Sequence, residues 1–197
     1  MEKRKINIYL IRHGETDWNK IRRLQGLRNI PLNENGVKQA EKIAEILKDT
    51  KIDCVYTSNL DRAIQTADVI AKAKDLEVEQ VDNLREIDFG DEEGHTIEEI
   101  IEKYGMEFYD KFSHSADHME RSYDNGETKK AASERIFNVL SKIFNDTNHN
   151  SIAIVTHGFI IKLFLKFTEM VALSVKNCCV IHCEYDGKDL VGIESLN

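Results

Sequence analysis

Proline occurs once in the 197 residues, at Pro31, so no proline-rich linker divides the chain. No repeat, low-complexity run or interdomain linker is visible either, and residues 1–197 read as one domain able to bury a sizeable core. Cysteine is scarce: four residues, two of them adjacent at Cys178 and Cys179, with neither metal-ligand spacing nor a secreted disulfide framework. That usage favours a reducing compartment, and a cytoplasmic location is expected. Long apolar runs are missing. The longest candidate, Phe159 to Leu173, carries Lys162, Lys166 and Glu169 at helical spacing, which marks an amphipathic helix and excludes a membrane span. Met1-Glu2-Lys3-Arg4-Lys5 is basic, but the apolar run behind it is too short and too soon interrupted for a signal peptide. Positive charge is in deficit, 27 Lys and Arg against 35 Asp and Glu, for a net charge of −8. General affinity for nucleic acid or anionic membrane is therefore not expected, and an anionic substrate must be drawn by local arginines against an unfavourable overall field.

What is present is organised around two strand ends. Ile6-Asn7-Ile8-Tyr9-Leu10-Ile11 is β-branched and aromatic on both faces, as in a parallel strand covered by helices, and it stops at Arg12-His13-Gly14. Ile152-Ala153-Ile154-Val155 has the same character and stops at Thr156-His157-Gly158. Inner strands of one α/β sheet would place both histidines at the carboxyl edge, where such sheets bind ligands. A lone histidine there is most often a satisfied core residue; two His-Gly strand ends with a flanking arginine point to a catalytic pair.

Between these ends the pattern alternates strand and helix. Asn33 is a plausible N-cap for a helix to Leu47. Asp53 to Thr57 reads as a strand, and Ser58-Asn59-Leu60-Asp61 has capping-box spacing for a helix through Ala73. Arg62 falls in that helix's first turn, where a cation opposes the macrodipole; the cost makes sense if an anion binds between helix end and guanidinium. Glu77 to Val81 reads as a strand, and Thr96-Ile97-Glu98-Glu99 as a capping box for a short helix ended by Gly105. Met106 to Asn125 has poor periodicity but many aromatic and methionine residues. His114 and His118 are four apart, but no third ligand stands near, so solvated histidines are expected and no metal site is predicted. A helix follows to Phe144, and Cys179 to Tyr185 with Leu190 to Glu194 read as a hairpin through Asp186-Gly187.

Arg12-His13-Gly14-Glu15-Thr16 followed by Trp18-Asn19 resembles the signature of the histidine phosphatase superfamily, which includes the cofactor-dependent phosphoglycerate mutases. The resemblance extends through Gln25-Gly26, Pro31 to Ala40, Tyr56 to Ala67, Leu84 to Gly90, Gly126-Glu127-Thr128 and His157-Gly158, nearly the whole chain. Asn29 departs from the Asp of many relatives, and Asp91-Glu92-Glu93-Gly94 lacks the tryptophan many members place before Glu-Gly. The resemblance implies a three-layer α/β sandwich with a central, mainly parallel sheet and a variable cap, here about residues 106–125. It implies His13 as nucleophile, Glu86 as general acid, and Asn19 and Gln25-Gly26 as substrate contacts; Asp88, Glu92 and Glu93 stay open as alternative acids. Gly126-Glu127-Thr128 is expected to do no more than open the next helix.

These residue types suit phosphoryl transfer, which needs positioning and fixed positive charge. Arg12 and Arg62 offer bidentate donors that stay charged, and His157 adds a third donor as transition-state stabiliser. Imidazole is largely neutral at pH 7, and neighbouring arginines keep the His13 lone pair available. A hydrogen bond from its other nitrogen, for instance to the Gly14 carbonyl, would fix the tautomer. The expected function is metal-independent hydrolysis of a small phosphomonoester through phosphohistidine, with no cofactor. A phosphoglycerate mutase is the alternative within the family, disfavoured by the short chain. A catalytically silent phospho-ligand-binding regulatory domain is the alternative from another class, though it typically lacks the nucleophile or the acid.

Overall fold

The computed structural model describes residues 5–113, 118–166, 175–187 and 190–197. Among these residues six strands form one sheet: β1 (Ile6–Arg12), β2 (Cys54–Thr57), β3 (Val78–Gln80), β4 (Ser151–Thr156), β5 (Val180–Tyr185) and β6 (Leu190–Ser195), in the order β3-β2-β4-β1-β5-β6. The first four run parallel, and the β5–β6 hairpin is antiparallel and closes the β1 side.

Period-two alternation sends apolar side chains to both faces. Ile8 and Leu10 of β1 with Ile152 and Ile154 of β4 pack on one face. Ile11, Ala153 and Val155 pack on the other. The first face is covered by α6 (Lys129–Asp146) and α7 (Gly158–Lys166), and the second by α2 (Glu34–Ile46) and α3 (Asp61–Lys72). Ala63, Ala67 and Ala71 recur every fourth residue of α3, so that helix presents a small-residue stripe to the sheet. The result is the three-layer α/β sandwich with a mainly parallel sheet.

Helix starts follow local chemistry. Asn33 accepts from Gly36 N (2.8 Å) to cap α2, and Thr96 and Glu99 form the reciprocal box of α4 (Ile97–Tyr104), which Gly105 ends at φ +84°. Three features differ from expectation. The box at Ser58–Asp61 does not form: the N-cap of α3 is Leu60, without a side-chain cap, because the Ser58 hydroxyl is engaged elsewhere. Asn29 Oδ1, from a separate loop, accepts from Asp61 N (2.7 Å) instead. A short helix, α1 (Asp17–Lys20), lies inside the first motif. Met106–Ser113 forms helix α5, where Phe108 and Phe112 stack one turn apart.

Among the described residues no helix is long and apolar enough to cross a membrane. Cys54, Cys178, Cys179 and Cys183 are free thiols.

Candidate active site

β2, β4 and β1 lie side by side and parallel, so their carboxyl ends share one edge. The ladder continues one residue past each end: His13 N donates to Thr156 O (3.0 Å) and Ser58 N to Val155 O (3.1 Å). This places His13, Ser58 and His157 together although they stand far apart in sequence. The two imidazoles lie 5.2 Å apart, centroid to centroid.

His13 Nδ1 is 2.7 Å from Gly14 O. A carbonyl only accepts, so Nδ1 carries the proton and Nε2 keeps its lone pair. Burial, then the charges of Arg62 and Arg12, hold the His13 pKa well below that of free imidazole. The backbone turn after His13 requires close packing. A Cβ on Gly14 would sit 2.5 Å from Gly36 O, and one on Gly36 would sit 2.1 Å from Glu15 O, so a glycine pair lets the motif loop lie on the start of α2.

Arg62 is fully buried and anchored by two carbonyls, Nη1 to Arg28 O (2.7 Å) and Nη2 to Gly26 O (2.8 Å). Burial pushes its pKa down to about 10, which leaves it charged at neutral pH. Arg12 Nη1 donates to Val175 O (2.8 Å). What this cluster leaves unsatisfied is informative: Nε of Arg12, Nε of Arg62 and Nδ1 of His157 are buried without a partner among the described residues. An unmet buried polar group costs about 1–3 kcal/mol, more when charged, and an anion would satisfy the two guanidinium nitrogens.

His157 is fully buried, and its Nε2 lies 2.8 Å from Ser58 Oγ. Burial, then Arg62, His13 and Arg12, keep it neutral too. Glu86 accepts from Ile87 N (3.0 Å) and from two amides at the start of α7, Phe159 N (3.2 Å) and Ile160 N (3.3 Å). The net effect of burial, against those N–H groups and Arg62, is a carboxyl pKa above the ordinary glutamate value.

Arg12, His13, Arg62 and Glu86 line a cavity of about 340 Å³. Of the acidic candidates, Glu86 alone lines it. Asp88 takes Gly90 N (2.7 Å), Glu92 is held by Lys103 and Tyr104, and Glu93 takes Leu27 N (2.6 Å). Asn19 and Gln25 also border the cavity, but their carbonyl oxygens are committed: Asn19 Oδ1 to Thr16 N (3.1 Å) in the α1 capping box and Gln25 Oε1 to the Thr16 hydroxyl (3.0 Å). Their amide NH₂ groups are what they have to offer a substrate. The Gly26 carbonyl serves Arg62 instead.

Two neighbours escaped the sequence reading. Ser58 looked like a helix cap; its place directly after Thr57, at the end of a strand beside β4, was the available signal. Asn177 shares its Nδ2 among His13 O (3.1 Å), Gly14 O (3.2 Å) and Asn19 Oδ1 (3.2 Å), and no motif pointed to it. No group of three or more His, Cys, Asp or Glu among the described residues could hold a metal ion. His118 is exposed at φ +61°, and His114 lies outside the described residues.

Paired histidines and arginines at the carboxyl edge of a parallel sheet define a class, and the whole chain conforms to it. The chain belongs to the Histidine phosphatase superfamily (branch 1), whose pattern matches residues 8–196. Among its relatives is the uncharacterised phosphatase PhoE of Bacillus subtilis, 32% identical over 183 residues, or 90% of this chain and 88% of that one. A metal-independent phosphoserine phosphatase of Arabidopsis thaliana is 36% identical over 86% of this chain and 71% of its own. The crystal structure of a phosphoglycerate mutase from Bacillus anthracis superposes with a TM-score of 0.85 at 27% identity, covering 94% of this chain and 91% of that one.

Proposed function

We propose that the protein hydrolyses a small phosphomonoester through a phosphohistidine on His13. The observation that carries this reading is the conjunction of a His13 with its Nε2 lone pair available and three buried nitrogens, Nε of Arg12, Nε of Arg62 and Nδ1 of His157, without partners among the described residues. Arg12 and Arg62 hold the equatorial phosphoryl oxygens, and His157 adds its donor as charge builds there. The Nε2 lone pair attacks phosphorus and the ester P–O bond breaks. The departing alkoxide takes the proton of Glu86. Water then attacks the phosphohistidine and gives its proton to the Glu86 carboxylate; the P–N bond breaks and inorganic phosphate leaves. Burial already raises the Glu86 pKa, and a substrate dianion raises it further, so substrate loads the acid. In this scheme two guanidinium groups supply the charge that a metal ion brings elsewhere, and the neutral His157 imidazole adds a hydrogen bond.

Beyond the phosphate, the cavity wall carries Phe89, Tyr109, Phe112, Tyr123 and Phe159. Three of these come from the cap, which is where we place substrate choice.

Brief mixing with substrate, followed by an alkaline quench, is expected to trap acid-labile phosphate on His13, with or without prior exhaustive chelation. His13→Ala should carry none. Equal label in that variant removes the proposal, and label lost on chelation and restored by magnesium removes metal independence. Product analysis separates the mutase alternative: hydrolysis releases inorganic phosphate, whereas a mutase returns an isomeric ester.

A further inference from the structure

We infer that Arg135 and Glu127, outside the reacting set, are positioning residues that hold the Glu86 segment in register with His157. The inference rests on the reading of Glu86 as the general acid. Arg135 lies in α6 and its side chain is 9% exposed; Glu127, just before α6, is 13% exposed. A guanidinium has five N–H groups. Here each has an acceptor: Nε meets Glu127 Oε1 (2.9 Å), Nη2 meets Glu127 Oε2 (2.8 Å) and Glu86 O (3.3 Å), and Nη1 meets Asn83 O (2.8 Å) and Arg85 O (3.0 Å). A saturated guanidinium has nothing left for a substrate, which separates it from Arg12 and Arg62.

The remaining carbonyl in that run, Leu84 O, accepts from Thr156 Oγ1 at 2.6 Å, from the residue before His157. Four successive carbonyls, 83 to 86, are therefore fixed by α6 on one side and by the end of β4 on the other. Glu127 completes the hold beyond the acid, since Glu127 N donates to Asp88 O (2.8 Å) and Asp88 N approaches Glu127 Oε2 (3.4 Å). Residues 83–88 contain no α-helix or strand, so their own ladder cannot place the Glu86 side chain. A bidentate ion pair with three carbonyls on its outer edge does so. Lysine keeps the charge but cannot reproduce the planar fork.

The test is a double-mutant cycle read by leaving group. Single-turnover phosphorylation of His13 is measured for wild type, Glu86→Gln, Arg135→Lys and the double variant, with β-glycerophosphate and with p-nitrophenyl phosphate. An alkoxide needs the acid and nitrophenolate does not. Arg135→Lys is expected to slow the alkyl ester about tenfold or more, and the nitrophenyl ester by less than about threefold. In the Glu86→Gln background it should add less than about threefold on the alkyl ester, because the group it positions is gone. Equal slowing of both esters, or full additivity in the cycle, overturns the inference while Glu86→Gln still discriminates. A Glu86→Gln that treats both esters alike overturns the reading of the acid, and the inference with it. If Arg135→Lys does not fold, Glu127→Gln runs the same cycle; failure of both to fold makes the pair a stability element and overturns the inference.

Discussion

One nitrogen of His13 is committed to Gly14 O, so the tautomer that the proposed attack on phosphorus needs is set in advance. Its partner His157 is likewise neutral and buried. Both pKa values are lower in the fold than in the unfolded chain, so between the two the unfolded chain binds more protons. Stability from these groups is present above about pH 6.5 and is lost as pH falls through that value toward the depressed ones. Urea unfolding at pH 7 and pH 5 is expected to show His13→Asn losing less stability on acidification than wild type, by up to about 1.4 kcal/mol per pH unit. Identical losses would mean that His13 titrates normally in the fold. At this scale the sequence was informative wherever strand ends announced themselves, and the tautomer bond to Gly14 was foreseeable. Ser58 was obscured because a serine three residues before an aspartate satisfies the spacing of a cap, and only its neighbour across the sheet shows otherwise.

Among the elements, helix α5 was the least legible. Phe112 is buried and Phe108 half-buried, while Tyr109, half-buried too, borders the cavity as Phe112 does and blurs the helical period. The helix's partners come from near and far in sequence: Phe108 stacks on Tyr104 (5.0 Å), four residues earlier, and Phe112 packs at a tilt against Tyr123 (4.6 Å) and the distant Phe159 (5.2 Å). Strands β1 and β4 and helices α2 and α6 were legible because each declares its period and cap locally. Phe112→Ala removes a side chain only 2% exposed that packs against Tyr123 and against Phe159 at the start of α7. It is expected to cost about 3–5 kcal/mol by thermal unfolding, the range for deleting a buried phenyl ring. It should also change the ranking of bulky against small phosphomonoesters. An unaltered ranking in a folded variant would place substrate choice outside the cap.

The molecule as a whole carries a net charge of −8, while Arg12, Arg23, Arg62 and Lys162 line the cavity. A dianionic substrate is thus repelled at long range and attracted only on arrival. Salt screens the first effect more than the second, since the Debye length is about 8 Å at 0.15 M and the site is partly enclosed. The kcat/KM for such a substrate is expected to rise as chloride is raised from about 0.01 to 0.15 M; a steady fall would show that the local cations govern approach as well. The position of β4, between β1 and β2, also bears on how the chain is made. During synthesis β1 and β2 leave the ribosome long before the strand that separates them, with Asn7 waiting for Ser151 as its neighbour. Such distant pairing slows folding and leaves sticky edges open meanwhile, which is work for a chaperone. The late strand also brings His157, so a nascent chain holds His13, the proposed nucleophile, early and brings the two histidines together only when the centre of the sheet closes.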